Sequence, residues 1–383
     1  MKILFLCNFY HNAMIFYDLK SALEDLGHEV KVFNAVKYGT EIKKKYEKIM
    51  DDPAVLHKEC FGKYDRCFYF YKQRKICKAL EQSVNIGEFD LIHSHMLFSG
   101  GYVARKLKKK YKIPFFVSVR NTDLNCFLKI PFFKIIANKI AEDASGVLFL
   151  SKPYHKEFQN KHLQAKNADS FKNKSGIFYN GLEKFWLDNV FDEKKSKPKE
   201  YISILYAGNI EKKKNITTTL DACKLLIKAG RRVKFTIVGE VKDKSLFDII
   251  TKERFVKYVA FSRKEELLNI YRENHIFVMP SVHETFGRAY AEAMSQGLPV
   301  IYSRNQGFDG IFSEGDAGYS VPYYDEESIA EAVLKIIDNY EEMSMKCVEN
   351  ARIFDWKVIA ENMEAFYSRQ TQNPFIDYSD LIK

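Results

Sequence analysis

Two glutamates that lie eight residues apart, Glu284 and Glu292, have the type and spacing to form a binding site. They belong to the run PSVHETFGRAYAEAMSQGLPV at residues 280–300, where a loop follows an apolar, strand-like segment and leads into a helical pattern. Gly287 at the turn allows the backbone N–H groups at the start of that helix to face an anion. Carboxylates on either side of the anion can accept hydrogen bonds from hydroxyl groups, at about 1.5–3 kcal/mol each. The run therefore predicts a site for a phosphate with sugar hydroxyls beside it.

The complete run resembles the donor motif of the GT4 family of retaining glycosyltransferases, which is a glutamate, seven residues and a second glutamate. Two glutamates at this spacing arise often by chance, whereas the extended motif after a strand does not. The positions that fit the extended motif are Pro280, Ser281, Glu284, Phe286, Gly287, Glu292, Ala293, Met294, Gly297, Pro299 and Val300. The resemblance implies the GT-B fold and a nucleotide diphosphate-sugar donor, with Glu284 at the donor sugar and Glu292 at the ribose.

Lys214 is the second catalytic candidate besides Glu284, because similar enzymes place a lysine on the diphosphate six residues after the glycine that corresponds to Gly208. A solvated loop lysine is the alternative, but a compact cation after a strand suits a departing diphosphate. The donor-side residues that the resemblance implies are Gly208, Asn209, Ser262, Thr285, Phe286, Gly287, Arg288 and Glu292.

One expected cation is missing on the donor side. Similar enzymes usually carry an arginine directly after the glycine at 208, and this chain has Asn209. Lys212, Lys213 and Arg288 are the candidates to replace it. The segment VAFSR at 259–263 corresponds to the stretch that holds the nucleobase in similar enzymes, largely through backbone groups, so it does not identify the base.

The acceptor side departs further from the family pattern. The strand end DLIHSH at 90–95 matches it, but the run SVRNTD at 118–123 has Arg120 where many relatives have a histidine near the reacting carbon. An arginine there can bind a phosphate or an acceptor carboxylate, and an ion pair with Asp123 is the alternative. For His95, the structural alternative is a polar residue at a strand end whose hydrogen bonds are made within the protein. The acceptor-side candidates are His95, Arg120 and Asp123.

Both halves of the chain alternate short apolar strands with helical patterns, which predicts parallel sheets with helices on both faces. The predicted strands are 3–6, 30–33, 91–94, 115–119, 147–150 and 177–179, then 202–206, 233–238, 256–261, 276–279 and 299–302. The predicted helices are 17–26, 217–229, 265–273, 289–296 and 328–340. The fold class is therefore α/β, with two doubly wound, Rossmann-like domains facing each other across a cleft and the chemistry in loops after strands.

A length of 383 residues suits two domains of about 150–190 residues. We place an acceptor-binding domain at 1–187, a charged linker that contains Lys-Pro-Lys at 188–200, and a nucleotide-sugar-binding domain at 201–367. The resemblance implies that a terminal helix at 368–383 packs back on the first domain.

The net charge of +10 is concentrated in residues 1–190, which hold 32 Lys and Arg against 20 Asp and Glu. The lysine-rich runs at 43–45 and 105–112 are typical of solvated helix faces, and a patch that attracts anionic lipid or a phosphorylated acceptor is the alternative.

The segment 126–140 interleaves aromatic residues with lysine, as an interfacial segment would, although a core helix with a basic edge fits equally well. Nucleic acid is not expected as a partner, because no known binding motif accompanies the charge.

Seven scattered cysteines without CxxC or zinc spacing predict free thiols and a reducing compartment. No apolar run approaches the roughly 18 residues of a membrane-spanning helix, and the apolar start is better explained by a first strand than by a signal peptide. We therefore expect a cytoplasmic protein, with contact to the inner face of an anionic membrane as an option.

The function that the resemblance implies is sugar transfer with retention of the anomeric configuration, in the synthesis of cell-envelope glycans or polysaccharides. A UDP-sugar is the expected donor, and a glycan, lipid-linked or phosphorylated molecule the acceptor. The chain lacks the Asp-x-Asp metal motif of the other main glycosyltransferase fold, so no metal and no other cofactor are expected. An epimerase or hydrolase on the same fold is one alternative. A non-catalytic basic module that binds lipid or polyanion is another, which Asn209 and Arg120 favour and the intact donor motif opposes.

Overall fold

The computed structural model describes residues 1–41, 49 and 51–372. The lysine run at 43–45 and the part of the predicted terminal helix beyond residue 372 lie outside the described residues. By their contacts the residues form two compact units. Unit 1 comprises Met1–Leu150, Tyr154–Gly181 and the last helix from Trp356, and unit 2 comprises Ser151–Pro153 and Leu182–Asp355.

Unit 1 is built on a seven-stranded parallel sheet. Its strands are β1 (Lys2–Leu6), β2 (Glu29–Lys37), β3 (Val55–Phe61), β4 (Leu91–Ser94), β5 (Phe115–Val119), β6 (Gly146–Phe149) and β7 (Ser175–Ile177). Their spatial order is β3-β2-β1-β4-β5-β6-β7, and Ile3 of β1 is paired with Leu91 of β4. The strands β4 and β5 are buried along their whole length, which is typical of parallel strands covered by helices on both faces.

Unit 2 repeats the arrangement with a six-stranded parallel sheet. Its strands are β8 (Ile202–Ala207), β9 (Val233–Val238), β10 (Val256–Val259), β11 (Ile276–Met279), β12 (Val300–Ser303) and β13 (Gly318–Val321). Their order is β10-β9-β8-β11-β12-β13. The two sheets confirm the predicted fold class of two doubly wound α/β halves.

Helices connect the strands and cover the sheets. They are α1 (Met14–Asp25), α2 (Tyr69–Ser83), α3 (Gly101–Tyr111), α4 (Asn121–Asn125), α5 (Pro131–Asp143), α6 (Lys152–Glu157), α7 (Ala168–Lys174), α8 (Lys184–Asp188), α9 (Ile216–Lys228), α10 (Lys244–Ile250), α11 (Lys264–Glu273), α12 (Arg288–Ser295), α13 (Glu326–Asp338), α14 (Tyr340–Ala351) and α15 (Trp356–Gln372). Gly27, with φ of 85°, follows α1 in the left-handed conformation that a C-terminal cap requires.

Most predicted strands are confirmed, and the two that the sequence analysis missed are the edge strands β3 and β13. β3 has the sequence VLHKECF, and its central residues are partly exposed. β13 is the short segment GYSV, with partly exposed residues in the middle. An edge strand is solvated along one side and does not need the continuous apolar run of a central parallel strand. The predicted strand at 177–179 was placed two residues too late, since β7 is Ser175–Ile177.

Two segments lie in different units from the ones that we predicted. The charged stretch 188–200, predicted as a linker, packs within unit 2: the buried Lys195 donates through Nζ to the carbonyls of Arg272 at 3.0 Å and Asn274 at 2.8 Å. The helix α15 groups with unit 1 from Trp356 onwards, whereas the sequence analysis has the chain cross back at residue 368. The reason is that Met363, Phe366 and Tyr367 are buried in the unit 1 core.

All seven cysteines are free thiols, as predicted. Within residues 1–41 and 51–372, no helix combines the length and apolar character needed to cross a membrane.

Candidate functional site

The middle of the unit 2 sheet is the place where the chain order reverses. The strands β8 and β11 lie side by side there, with Ile204 paired with Ile276. The loops at the carboxyl ends of two such strands leave a crevice in which ligands of doubly wound sheets bind. The loop after β8 carries Lys214, and the loop after β11 carries Glu284. The sheet order therefore brings together both predicted catalytic residues.

Lys214 and Glu284 form an ion pair in this crevice. The Lys214 Nζ lies 2.7 Å from Glu284 Oε2, and the two side chains are 17% and 15% exposed. The loops that carry them are joined by a backbone hydrogen bond, in which the Val282 N–H donates to the Lys213 carbonyl at 2.9 Å. The site thus presents a cation suited to a phosphate and a carboxylate suited to hydroxyl groups within reach of one ligand.

Three further hydrogen bonds fix the Glu284 loop. The Glu284 N–H donates to the side-chain oxygen of Gln306 at 3.0 Å, and the Gly307 N–H donates to the Glu284 carbonyl at 2.8 Å. The Thr285 N–H donates to Glu284 Oε1 at 3.1 Å. Gly307 packs so closely that a Cβ there would lie 2.1 Å from the carbonyl carbon and oxygen of Thr285. A residue without a side chain is therefore required at this contact.

The substitution Gly307→Ala should lower the melting temperature by about 5 °C and weaken nucleotide binding, because overpacking of this kind costs roughly 1–3 kcal/mol and displaces Glu284. Gly87→Ala is a matched control, since its Cβ would have Asn85 Oδ1 as its nearest atom at an ordinary 3.6 Å. Thermal unfolding of both variants with and without UDP measures the effect. Equal melting temperatures for the two variants would contradict the role assigned to Gly307.

The helix α12 begins at the edge of the same crevice. Its N-cap is Gly287, whose φ is 82° and whose position offers no side-chain cap to the first N–H groups. A Cβ at Gly287 would lie 2.4 Å from the Tyr290 ring, so glycine is required for packing as well. The Tyr290 hydroxyl donates to the Met279 carbonyl and ties the helix to the end of β11. The uncapped amides beside the Glu284 loop form a site that favours an anion.

Glu292 lies one turn further along α12 and is partly buried. Its Oε2 accepts a hydrogen bond from the Tyr271 hydroxyl at 3.3 Å. Burial raises the pKa of Glu292, while the charge of Arg288 and the hydrogen bond from Tyr271 lower it. A carboxylate held in a site that disfavours its charge is a common property of functional residues.

The remaining donor-side candidates are less closely connected. The Tyr206 hydroxyl donates to the Asn209 carbonyl at 2.7 Å and so shapes the turn that follows Gly208. Lys213, a candidate for the missing cation, pairs with Glu211 at 3.2 Å. Ser262 follows the edge strand β10, and its hydroxyl donates to the Ala260 carbonyl at 3.2 Å. The exposed Arg288 starts α12, Thr285 is partly exposed beside Glu284, and Phe286 is buried with its ring centroid 5.4 Å from that of Phe354.

In unit 1, the two histidines of the β4 strand end have different environments. His93 Nε2 lies 2.8 Å from Ser118 Oγ, and His93 Nδ1 lies 2.6 Å from the Tyr367 hydroxyl. His95 is fully buried, and neither of its ring nitrogens has a hydrogen-bond partner among the residues described. Burial keeps the pKa of His95 well below its usual value. His95 therefore packs as a neutral aromatic ring, 4.3 Å from Phe5.

Arg120 and Asp123 meet through the backbone at the start of α4. The Asp123 carboxylate accepts the Arg120 N–H at 2.9 Å and the N–H groups of Leu97 and Phe98 at 3.1 Å each. Burial raises the pKa of Asp123 to about 6 and lowers that of Arg120 to about 10. The Arg120 side chain donates through Nη1 to Asn180 Oδ1 at 3.2 Å. Asp123 thus holds the loop after β4, and Arg120 remains charged at neutral pH.

Unit 1 also contains a cavity of about 500 Å³ beyond the ends of β1 and β2, a volume typical of small-molecule sites. Its wall is mixed, with aromatic side chains on part of it and cationic or amide groups elsewhere. Residues that represent both kinds are His11, Lys37, Tyr69, Lys72, Gln73 and Phe127. The Asn34 side chain lies 2.9 Å from His11 Nδ1 and fixes this histidine at the wall.

The sequence predicted neither these cavity residues nor Tyr271 and Gln306, which contact the two motif glutamates. Gln306 directly precedes Gly307 in the loop before β13, and this position was the sequence signal that could have identified it. Tyr271 lies on the buried face of α11 and has the pattern of a core residue. Its role depends on the packing of α11 against α12, which no local pattern shows.

Comparison with known proteins finds a glycosyltransferase family model that matches each unit. Residues 188–354 match the model of the glycosyl transferases group 1, and residues 13–169 match that of glycosyltransferase family 4. An uncharacterised glycosyltransferase of Methanocaldococcus jannaschii is 26% identical over 76% of each chain. The alpha-monoglucosyldiacylglycerol synthase of Acholeplasma laidlawii is 24% identical over 91% of each chain. The crystal structure of HepE of Anabaena in complex with UDP is similar with a TM-score of 0.70 and 16% identity, over 96% of this chain and 100% of that one.

The two family matches cover most of both units, and they include the crevice of Lys214, Glu284 and Glu292. The parallel sheets and the motif that follows β11 agree with the same assignment. The chain belongs to the family 4, group 1 glycosyltransferases and has the GT-B fold.

Proposed function

We propose that this enzyme transfers a sugar from a nucleotide diphosphate-sugar, with UDP as the nucleotide, to an acceptor hydroxyl with retention of the anomeric configuration. The observation that carries the proposal is the Lys214–Glu284 pair at 2.7 Å, placed beside the uncapped amides of α12. This arrangement offers positive charge to a diphosphate and a carboxylate to the sugar that it carries.

In the proposed reaction, the bond between the anomeric carbon and the diphosphate oxygen breaks while the acceptor oxygen bonds to that carbon from the same face. The acceptor proton passes to the departing diphosphate. Lys214 and the amides after Gly287 stabilise the charge that develops on the leaving group. Glu284 holds the hydroxyls of the donor sugar and favours positive charge at its ring, and Glu292 holds the ribose. Since Lys214 supplies the cation, we propose that no divalent metal is needed.

The acceptor is proposed to be a glycan, lipid-linked or phosphorylated molecule of the cell envelope, bound in the unit 1 cavity. The mixed wall of that cavity, with Lys37 and Lys72 on the same surface as Tyr69 and Phe127, suits a molecule that has both charged and apolar parts. The relative from Acholeplasma laidlawii, named for a glucosyldiacylglycerol product, supports a lipid acceptor. The structural relative with bound UDP supports the choice of nucleotide.

A thermal-shift screen against UDP, GDP, ADP and CDP tests the donor site, and the best nucleotide-sugar is then used in transfer assays. At a hundred times its dissociation constant, UDP should raise the melting temperature by about 5 °C. Transfer should require an added acceptor and should persist in EDTA.

Three outcomes would contradict the proposal. Lack of stabilisation by every nucleotide would favour a non-catalytic module, and release of free or isomerised sugar without an acceptor would favour a hydrolase or an epimerase. Loss of transfer in EDTA, with recovery on addition of Mg²⁺ or Mn²⁺, would show that the reaction needs a metal.

A further inference from the structure

A group of large apolar side chains is exposed on one face of unit 1, where α2 and α5 begin. We call this group the aromatic patch, and it consists of Phe68, Phe70, Tyr71, Ile130, Phe132 and Ile135. Between 40% and 67% of each of these residues is exposed. Single exposed apolar residues are common on protein surfaces, but six at the starts of two helices whose rings meet mark an interaction site.

The two helix starts of the patch meet through Phe70 and Phe132 and rest on a packed layer. The Phe70 ring lies 6.0 Å from that of Phe132 and 5.3 Å from that of Tyr102, measured between centroids. Beneath them, the rings of Tyr69 and Phe133 lie 5.2 Å apart. The outer rings are therefore held in place by their neighbours and lose little conformational freedom on binding.

The charge around the patch is positive. Residues 101–140 contain ten Lys and Arg and a single carboxylate, the buried Asp123. Arg105 and Lys109 pair with Asp143 and Lys110 pairs with Glu81, so the cations closest to the patch in the chain are Lys106, Lys129 and Lys134. Lys129 is exposed next to Ile130, and Lys106 Nζ lies 5.5 Å from the centroid of the Tyr102 ring. Aromatic side chains interleaved with lysines are suited to the interface of a bilayer, where the rings enter the headgroup region and the lysines meet anionic lipids.

We propose that unit 1 docks on the surface of an anionic lipid bilayer through the aromatic patch and the lysines around it. The charge complementarity favours anionic lipid over an uncharged membrane, and the alternation of rings and lysines favours a lipid surface over a folded protein partner.

The cavity of unit 1 opens beside the patch and links the docking surface to the reaction. Tyr69 and Phe127 line the cavity, and their rings lie 5.2 and 5.0 Å from that of Phe133, directly below the patch. Deeper in the wall, the buried Gln73 Oε1 has no hydrogen-bond partner among the residues described. A molecule anchored in the bilayer can therefore place its polar head in the cavity while its apolar chains remain in the membrane. This assignment of a lipid-borne acceptor rests on the proposed function.

Sedimentation with vesicles tests the docking surface on the full chain, without nucleotide or acceptor. The protein should bind vesicles of phosphatidylcholine with phosphatidylglycerol, and it should not bind vesicles of phosphatidylcholine alone. The double variant Phe70→Ser/Phe132→Ser should bind at least about tenfold more weakly, because both rings leave the interface. The variant Lys129→Glu/Lys134→Glu should bind the anionic vesicles about 25-fold more weakly, at about fivefold for each cation removed. High salt should weaken the binding of the unchanged protein in the same way.

The matched control is Ile249→Ser/Tyr324→Ser, which removes two exposed apolar side chains from unit 2 and should leave vesicle binding unchanged. Melting temperatures verify that each variant is folded, and the charge variant tests the surface with the aromatic patch intact. Equal binding to both kinds of vesicle, binding to neither, or equal losses in the patch and control variants would overturn the proposal. Because these measurements use no donor, they are independent of whether UDP-sugar transfer is observed.

Discussion

Replacing Lys214 by methionine should lower the rate of sugar transfer by about 100- to 1,000-fold, the usual effect of removing a charged group that stabilises a departing anion. The lysine is the cation that lies 2.7 Å from Glu284, in a crevice where both side chains are largely shielded from water. In the proposed reaction, low exposure strengthens its interaction with the diphosphate, which carries most charge as the bond to the sugar breaks. Single-turnover transfer with saturating donor measures the chemical step.

Glu284→Gln provides the partner variant for this prediction. The glutamine keeps a hydrogen-bond acceptor near Lys214 but removes the negative charge, so we expect the transfer rate to fall by a similar factor. Because the two residues are in contact, the double variant Lys214→Met/Glu284→Gln should be less impaired than the product of the single effects indicates.

Lys228→Met is the matched control, since Lys228 is an exposed lysine of unit 2 in the last turn of α9. Its rate should equal that of the unchanged enzyme. Multiplicative losses in the double variant, or a Lys214→Met enzyme of normal rate, would show that the pair does not act on the reacting centre.

Replacing Glu292 by glutamine should weaken the binding of UDP by about tenfold while making the free protein more stable. The carboxylate can accept hydrogen bonds from two ribose hydroxyls, whereas the amide offers one oxygen and no charge, a difference of about 1.5 kcal/mol or more. Isothermal titration with UDP measures the affinity, and an unchanged affinity would remove Glu292 from the site.

The gain in stability follows from the raised pKa of Glu292, which burial causes. The folded protein binds the proton of this group more tightly than the unfolded chain does, so ionisation opposes folding. This penalty is absent below the usual carboxyl pKa of about 4.3 and grows as the pH rises through the higher value of the folded state. The melting temperature of the Glu292→Gln variant should therefore exceed that of the unchanged protein at about pH 7.5 and equal it at about pH 4.

Glu331→Gln is the control for this pH dependence. Glu331 is exposed on α13 of the same unit. Its replacement should shift the melting temperature little at either pH, because substitutions at exposed surface positions usually change the free energy of unfolding by less than about 0.5 kcal/mol. A gain of equal size in both variants would mean that the loss of net charge, and not the burial of Glu292, stabilises the protein.

The amino-acid sequence by itself determined the fold class, the family and the residues of the donor motif. Central parallel strands such as β4, β5, β9 and β11 are short apolar runs, and their boundaries were predicted correctly because burial on both faces acts on each residue locally. The motif was equally easy to predict from the sequence, since Glu284, Gly287 and Glu292 are all within one strand–turn–helix unit. The edge strands β3 and β13 were missed because they are exposed on part of their surface and lack a continuous apolar run, whereas the edge strands β7 and β10 were predicted with shifted ends.

The tertiary structure decided which of these residues act together. Lys214 and Glu284 are 70 positions apart, and they meet because β8 and β11 are neighbours in the sheet, an order that local hydrophobic patterns do not encode. The hydrogen bond between Tyr271 and Glu292 joins two helices, and the aromatic patch of unit 1 forms where the starts of α2, α3 and α5 meet. Periodicity shows which face of an element is buried, whereas contacts between distant elements depend on how the sheets and helices assemble. A local motif therefore supplies the candidate site residues, and the fold determines their geometry and environment.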